Sequence, residues 1–310
     1  STRQRLYLAN AGLNRIDIFD IRTKAFLTPL KTGQLPVSLA LSPDAATLYV
    51  ACAGGEVIQI VDVAKLQVAA RVRFPALPLN SSTAILSPSV IAAHEGGAIF
   101  ITSTGQLWDV TGTDAVPRGA SAVIGKTTAG APLTMTSPVT LAASPGGERV
   151  LLLNGNGYVY LYDALTDDFI QGRQIFSTAQ GYYGPATAGP KGAYFAVNGS
   201  VLNESLGVVS STGSSPGAVG QSGLTAAVTQ AGASLFIRFQ QPVRTSATAA
   251  ITDPGSFEVV DVNTGQTRAT VPALEGPSTV VTGTNRTAIG GRLLAVDASG
   301  SALYAITATG

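Results

Sequence analysis

The chain has 310 residues, of which 12% are charged, and its 19 Lys and Arg against 18 Asp and Glu leave a net charge of +1. That balance lacks the basic face or stripe of a nucleic-acid binder, and no apolar run reaches the roughly 18–20 residues that a membrane helix needs. One cysteine, Cys52, cannot form an internal disulfide, and with one histidine, His94, the usual zinc ligand sets cannot be assembled.

In chain order, the first phrase is Arg5-Leu-Tyr-Leu-Ala-Asn10, followed by a β-branched run ending in Asp, Ile18-Phe19-Asp20. The pair returns as Thr47-Leu-Tyr-Val-Ala-Cys52 with Ile60-Val61-Asp62, then as Ala98-Ile-Phe-Ile-Thr-Ser103 with Leu107-Trp108-Asp109. Next come Arg149-Val-Leu-Leu-Leu-Asn154 with Leu161-Tyr162-Asp163, and Ala193-Tyr-Phe-Ala-Val-Asn198 with a weaker copy, Val208-Val209-Ser210. Ser234-Leu-Phe-Ile-Arg-Phe239 precedes Val259-Val260-Asp261, and Ala302-Leu-Tyr-Ala-Ile-Thr307 stands alone near the end. A period of roughly 40–50 residues built from short strands marks a β-propeller blade. The expected fold is an all-β, single-domain propeller of four-stranded antiparallel blades spanning 1–310. The second-strand phrase occurs seven times and the other three strands six. The first repeat, about 1–37, lacks an inner strand, and the last, about 292–310, stops after two. Length over period favours seven blades. The strand inventory gives a six-bladed alternative, in which the C-terminal inner strand completes the N-terminal blade.

The second repeat shows one blade clearly. Ser38 to Leu41 is an inner strand, Pro43 and Asp44 form a turn, and Thr47 to Ala51 alternates as a second strand. Val57 to Val61 is the third strand and Gln67 to Phe74 the outer one. The second-strand aromatics Tyr7, Tyr49, Phe100, Phe195, Phe236 and Tyr304 are expected to fill the gaps between blades. Each third-strand Asp is expected to accept backbone N–H groups of the next turn. The stretch Leu41-Ser-Pro-Asp-Ala-Ala-Thr-Leu-Tyr-Val-Ala-Cys-Ala-Gly-Gly-Glu-Val-Ile-Gln-Ile-Val-Asp62 resembles the YVTN β-propeller repeat of bacterial and archaeal secreted and surface-layer proteins. The resemblance is strong here and at Ile16 to Phe26, and poor from Ser200 to Gly223. It implies a multi-bladed propeller, commonly seven-bladed, often exported and without known catalysis.

The long connections, Pro75 to Ser89, Thr127 to Pro138, Gln240 to Ser256 and Glu275 to Gly291, all fall at one end of such a ring. Connections of this length are commonly functional. The candidate binding residues on that face are Asn14, Arg15, Asn80, Tyr182, Tyr183, Arg244 and Arg286. His94 falls in a tight turn at the opposite end, where an exposed histidine is expected to be structural. No Gly-x-Ser-x-Gly elbow is present. No catalytic residue, metal or cofactor is therefore assigned. The expected function is a non-enzymatic, exported propeller that contacts a protein or a glycan through its long-loop face, with no nucleic acid and no membrane insertion. The expected location is extracellular, cell-surface or periplasmic. The alternatives are a propeller hydrolase of the lactonase type and a purely structural module of a longer surface protein. The chain starts at Ser1 without Met, and is expected to be a mature form or a piece of something longer.

Overall fold

The computed structural model describes residues 4–55, 57–72, 86–128, 131–176, 185–197, 199–211, 224–241, 255–274, 294–297 and 300–306. Among the described residues six antiparallel sheets of four strand segments each follow one another, and the fold is an all-β propeller with six blades. Blade 1 is Arg5–Asn10 and Arg15–Asp20, with an outer strand broken into Ala25–Phe26 and Leu30–Lys31, both paired to Arg15–Asp20. Blade 2 is Pro36–Leu41, Thr47–Cys52, Val57–Asp62 and Gln67–Val72. Blade 3 is Pro88–His94, Gly97–Thr102, Leu107–Thr111 and Asp114–Pro117, and blade 4 is Thr140–Ala143, Arg149–Leu153, Tyr158–Asp163 and Asp168–Gln174. Blade 5 runs through Ala186–Ala188, Tyr194–Val197, Ser200–Asn203 and Val208–Ser211, and blade 6 through Leu224–Gln230, Leu235–Gln241, Ser256–Asp261 and Thr267–Pro272.

Seven blades, the favoured count, is corrected to six. The seventh second-strand copy does not build a blade among the described residues. Leu303–Ala305 pairs with Leu294–Val296 in a two-stranded hairpin. Nor does that inner strand complete blade 1, as the six-bladed alternative supposed, since its partner is its own hairpin mate. Leu294 and Leu303 pack with Ala227, Phe239 and Ala273 of blade 6 and the segment after it. Tyr304 lies 6.4 Å from Phe19 of blade 1, ring centre to ring centre. The hairpin thus bridges the last blade and the first.

The core is a series of apolar seams between neighbouring blades, because alternate residues of each strand face opposite neighbours. Ile16, Ile18, Leu48, Val50, Cys52, Val61 and Val63 fill the seam between blades 1 and 2. Ala40, Ala51, Ile58 and Val72 meet Ile91, Phe100, Trp108 and Val110 between blades 2 and 3. Phe195 and Phe236 are buried in the seams of blades 4–5 and 5–6, while Tyr7 and Tyr49 are half-buried against theirs. The inner strands are also cross-linked, as crowding near the axis requires each N–H to find a partner. Ile91 N donates to Ser38 Oγ (3.2 Å) and Gln230 N to Thr187 Oγ1 (3.1 Å). Where turns of three blades converge, Gly147 holds φ at +77°, and a Cβ there would meet Pro43 Cγ, Glu95 N and His94 C.

Candidate functional site

Antiparallel blades segregate their connections. Inner-to-second and third-to-outer turns share one end of the ring, and second-to-third turns and blade-to-blade connectors share the other. The first end is short: 42–46, 95–96 and 144–148 in one class, 21–24, 63–66 and 112–113 in the other. At the other end the strand ends are joined by the sequence stretches 73–87, 118–139, 175–185, 212–223, 242–255 and 273–293, most of whose residues lie outside the described ones. This inequality makes the long-connector end the candidate face.

Of the residues expected to act there, Asn80, Tyr182, Tyr183, Arg244 and Arg286 lie outside the described residues. Asn14 and Arg15 are described, and both serve the fold. Asn14 adopts a left-handed backbone (φ 52°), and its Oδ1 accepts Leu35 N at 2.8 Å, tying blade 1 to the connector that leads into blade 2. Arg15 Nε lies 2.7 Å from Asp17 Oδ1, an ion pair whose N–H is not aligned as a hydrogen bond. The 118–139 connector is packed down where it is described. Leu133 and Met135 are buried between blades 3 and 4, Leu107 N donates to Leu133 O (2.8 Å), and Met135 N donates to Gly105 O (2.7 Å).

A dense polar assembly among the described residues lies in that same seam, and no motif in the sequence marks it. Arg118 follows the outer strand of blade 3. Its Nε is 2.9 Å from Asp109 Oδ2 and its Nη2 donates to Asp109 Oδ1 at 3.0 Å. Across the seam, Nη1 donates to Asp167 O (2.8 Å) and Nη2 to Asp167 Oδ1 (2.7 Å). Tyr162 Oη donates to the same Asp167 Oδ1 (2.8 Å), and the guanidinium carbon sits 5.4 Å from the Tyr162 ring centre. Burial raises the Asp109 carboxyl above the usual carboxylate range, against the pull of Arg118. Burial opposes the charge on Arg118, but Asp109 and Asp167 outweigh it and hold the guanidinium more firmly protonated. Asp167 has a side chain 76% exposed, and its bonds from Arg118 and Tyr162 hold it below the usual range against its own partial burial.

His94 belongs to this group and not to an exposed turn, which corrects the expected exposure. It ends the inner strand of blade 3 with 7% of its surface accessible, edge-on to Tyr162 at 4.9 Å, and its Nδ1 accepts Gly96 N at 3.1 Å. Burial lowers its pKa to about 4, so the ring is neutral at physiological pH.

Asp109 departs from its counterparts for a local reason. Asp20 Oδ1 accepts Thr23 N (2.7 Å), Asp62 Oδ1 accepts Lys65 N (2.9 Å), Asp163 Oδ1 accepts Leu165 N (3.1 Å), and Asp261 Oδ1 accepts Asn263 N (2.9 Å). Each of those strands ends at its Asp, whereas Leu107–Thr111 runs past Asp109, so no turn follows for that carboxylate to cap. Cys52 is buried between blades 1 and 2 and its thiol is pushed up to about 11 by burial, which makes it unreactive. Among the described residues no three His, Cys, Asp or Glu gather as a metal site.

At the long-connector end of the same seam the third strand of blade 4 presents a row of tyrosines. Tyr158, Tyr160 and Tyr162 alternate along one face, exposed, half-buried and buried in turn. Tyr158 and Tyr160 are stacked, 6.0 Å apart and 17° from parallel, and Tyr160 meets Phe169 edge-on at 6.4 Å. The alternation Tyr158-Val159-Tyr160-Leu161-Tyr162 was the signal in the sequence for this row.

No family model matches the sequence, and no curated protein matches it. The fold is similar to the β-propeller domain of Myceliophteria thermophila Cps50 (Swd1), with a TM-score of 0.58 and 14% identity over 88% of this chain and 86% of that one. A fainter likeness is to Kuenenia stuttgartiensis hydrazine synthase, with a TM-score of 0.47 and 15% identity over 84% of this chain and 63% of that one. The chain is a β-propeller protein.

Proposed function

We propose that this propeller is a non-enzymatic interaction module, exported from the cell, that contacts a protein or glycan through its long-connector end. The observation that carries the reading is the inequality of the two ends. Short, hydrogen-bonded turns stand at one, and at the other stand connectors such as 73–87, 175–185 and 242–255, far longer than strand joining needs. The similarity of the second repeat to YVTN-type propellers of secreted and surface proteins supports export. The enclosed state of His94 and the raised pKa of Cys52 support the absence of catalysis.

The test compares the full chain with two variants on a glycan array and in capture from a secreted-protein fraction. One variant replaces residues 242–254 by a Gly-Ser linker, and the other carries Asp44→Ala and Glu148→Ala at the tight-turn end. Binding that is lost in the first and kept in the second is the expected result. Turnover of a lactone panel, with or without divalent metal, would instead favour the hydrolase reading.

A further inference from the structure

We propose that the Tyr158–Tyr160 stack, at the long-connector end of the seam between blades 3 and 4, is a docking platform for a neutral carbohydrate, with the amide of Gln174 bonding its hydroxyls. This deepens the interaction reading above and rests on it. A pyranose ring presents a flat face of C–H groups and a rim of hydroxyls, so it is recognised by an open aromatic face with an uncharged donor–acceptor beside it. Both are here. Tyr158 is 37% exposed, and its ring lies nearly parallel to that of Tyr160. The antiparallel register sets Gln174 directly opposite Tyr158 and Gly172 opposite Tyr160, on the same face of the sheet. Arg173 falls on the other face, where its Nη1 donates to Leu206 O at 3.4 Å.

The platform is fixed in place by parts that the ring itself does not need. A hairpin, Ala120–Ser121 with Gly125–Lys126, is added outside the four-strand blade. It is anchored to blade 4 by Ala122 N donating to Asp168 Oδ2 (2.8 Å), and its Val123 side chain comes to the Tyr160 ring over Gly172. A Cβ at Gly172 would lie 2.8 Å from both Tyr160 Cδ1 and Val123 Cγ1, so only glycine seats the ring there. On the other side, Gly157 (φ +88°) accepts Ile175 N and Phe176 N at 3.0 and 3.2 Å, which fixes the backbone that enters Tyr158. Aromatic rings held before binding lose little entropy on binding. A stable protein partner would need roughly 800 Å² on this side. The exposed large apolar residues of the third and outer strands of blade 4 are Tyr158 (37%) and Ile170 (38%), and Val123 of the hairpin is exposed to the same extent. That area suits one or two sugar rings.

The experiment is calorimetric titration of the full chain with cellohexaose, xylohexaose, chitohexaose and maltohexaose, repeated with Tyr158→Ala, Tyr158→Phe and Gln174→Ala. The expected result is binding of at least one of these sugars. Tyr158→Ala then weakens it about tenfold, as loss of one aromatic contact should. Tyr158→Phe retains it, and Gln174→Ala weakens it with an unchanged melting temperature. Failure of all four sugars to bind, or equal affinity in Tyr158→Ala, overturns the platform. Sugar binding that survives Tyr158→Ala but is lost on replacing residues 242–254, or protein capture without sugar binding, overturns the platform and leaves the interaction face standing. Absence of both kinds of binding overturns both.

Discussion

The seams between blades 1 and 2 and between blades 3 and 4 are built from equivalent strands, yet they are held by different forces. The first is mainly apolar, with Ile16, Ile18, Leu48, Val50, Val61 and Val63 in contact and one polar tie, Arg5 Nη1 donating to Val63 O at 3.3 Å. The second keeps an apolar middle, Ile99, Leu107, Leu141, Val150 and Leu152, but carries a charged network beside it and a tyrosine stack at the connector end. The fold needs only the first kind of seam. In the second seam the repeat departs from its pattern, since Arg118, Asp109 and Asp167 join blades 3 and 4 through charge. Here the altered seam also carries the extra hairpin and the Tyr158–Tyr160 stack, of which Tyr158 is exposed.

The largest loss of stability is expected for Arg118→Ala. It strands the buried Asp109 carboxylate and should cost about 3–5 kcal/mol in guanidinium unfolding. Converting both partners, Asp109→Leu with Arg118→Met, should return most of that loss, since a well-packed apolar pair often matches a buried ion pair. In the apolar seam, Leu48→Ala should cost about 3 kcal/mol by leaving a cavity, and added salt should not change the figure.

His94 gives the seams different pH behaviour. Its folded pKa of about 4 lies below the ordinary 6.5, so as pH falls the unfolded chain takes the proton first. The stability it contributes is whole above about pH 6.5 and drains away toward pH 4. Asp167 and Arg118, which face the ring, pull in opposite directions and leave burial dominant. Unfolding free energies of the wild type should fall by roughly 2–3 kcal/mol across that window relative to His94→Gln. A variant with the same slope as the wild type would show that the imidazole is not enclosed. The smallest effect is expected for Asp62→Ala, which removes an exposed turn bond to Lys65 N and should lower the melting temperature less than any change above.

Much of this was legible beforehand. Short strands ending in Asp at a steady period identify a propeller, and the Asx-type turns after Asp20, Asp62, Asp163 and Asp261 follow from the same phrase. Blade number was not, because a second-strand copy looks the same whether it sits inside a blade or in a terminal hairpin. The third strand of blade 5 was not legible either, because Val208-Val209-Ser210, aligned with the third-strand phrase, forms the outer strand Val208–Ser211, and the third strand is Ser200–Asn203. The Arg118 network lay beyond reach for a different reason. Arg118 and Asp167 meet across 49 residues of sequence, in different repeats, and period arguments say nothing about contacts between blades. Asp109 matched its counterparts in letters, and only the length of its strand sets it apart.

Short, hydrogen-bonded turns close one end of the ring, and the long-connector end is the proposed binding face. The most direct measurement is hydrogen exchange by mass spectrometry on the full chain, free and saturated with its highest-affinity array ligand. The account predicts new protection in peptides covering the connectors 73–87, 175–185 and 242–255 and the strand that starts at Tyr158, with no change at 42–46, 95–96 and 144–148. Protection confined to those tight turns would contradict it.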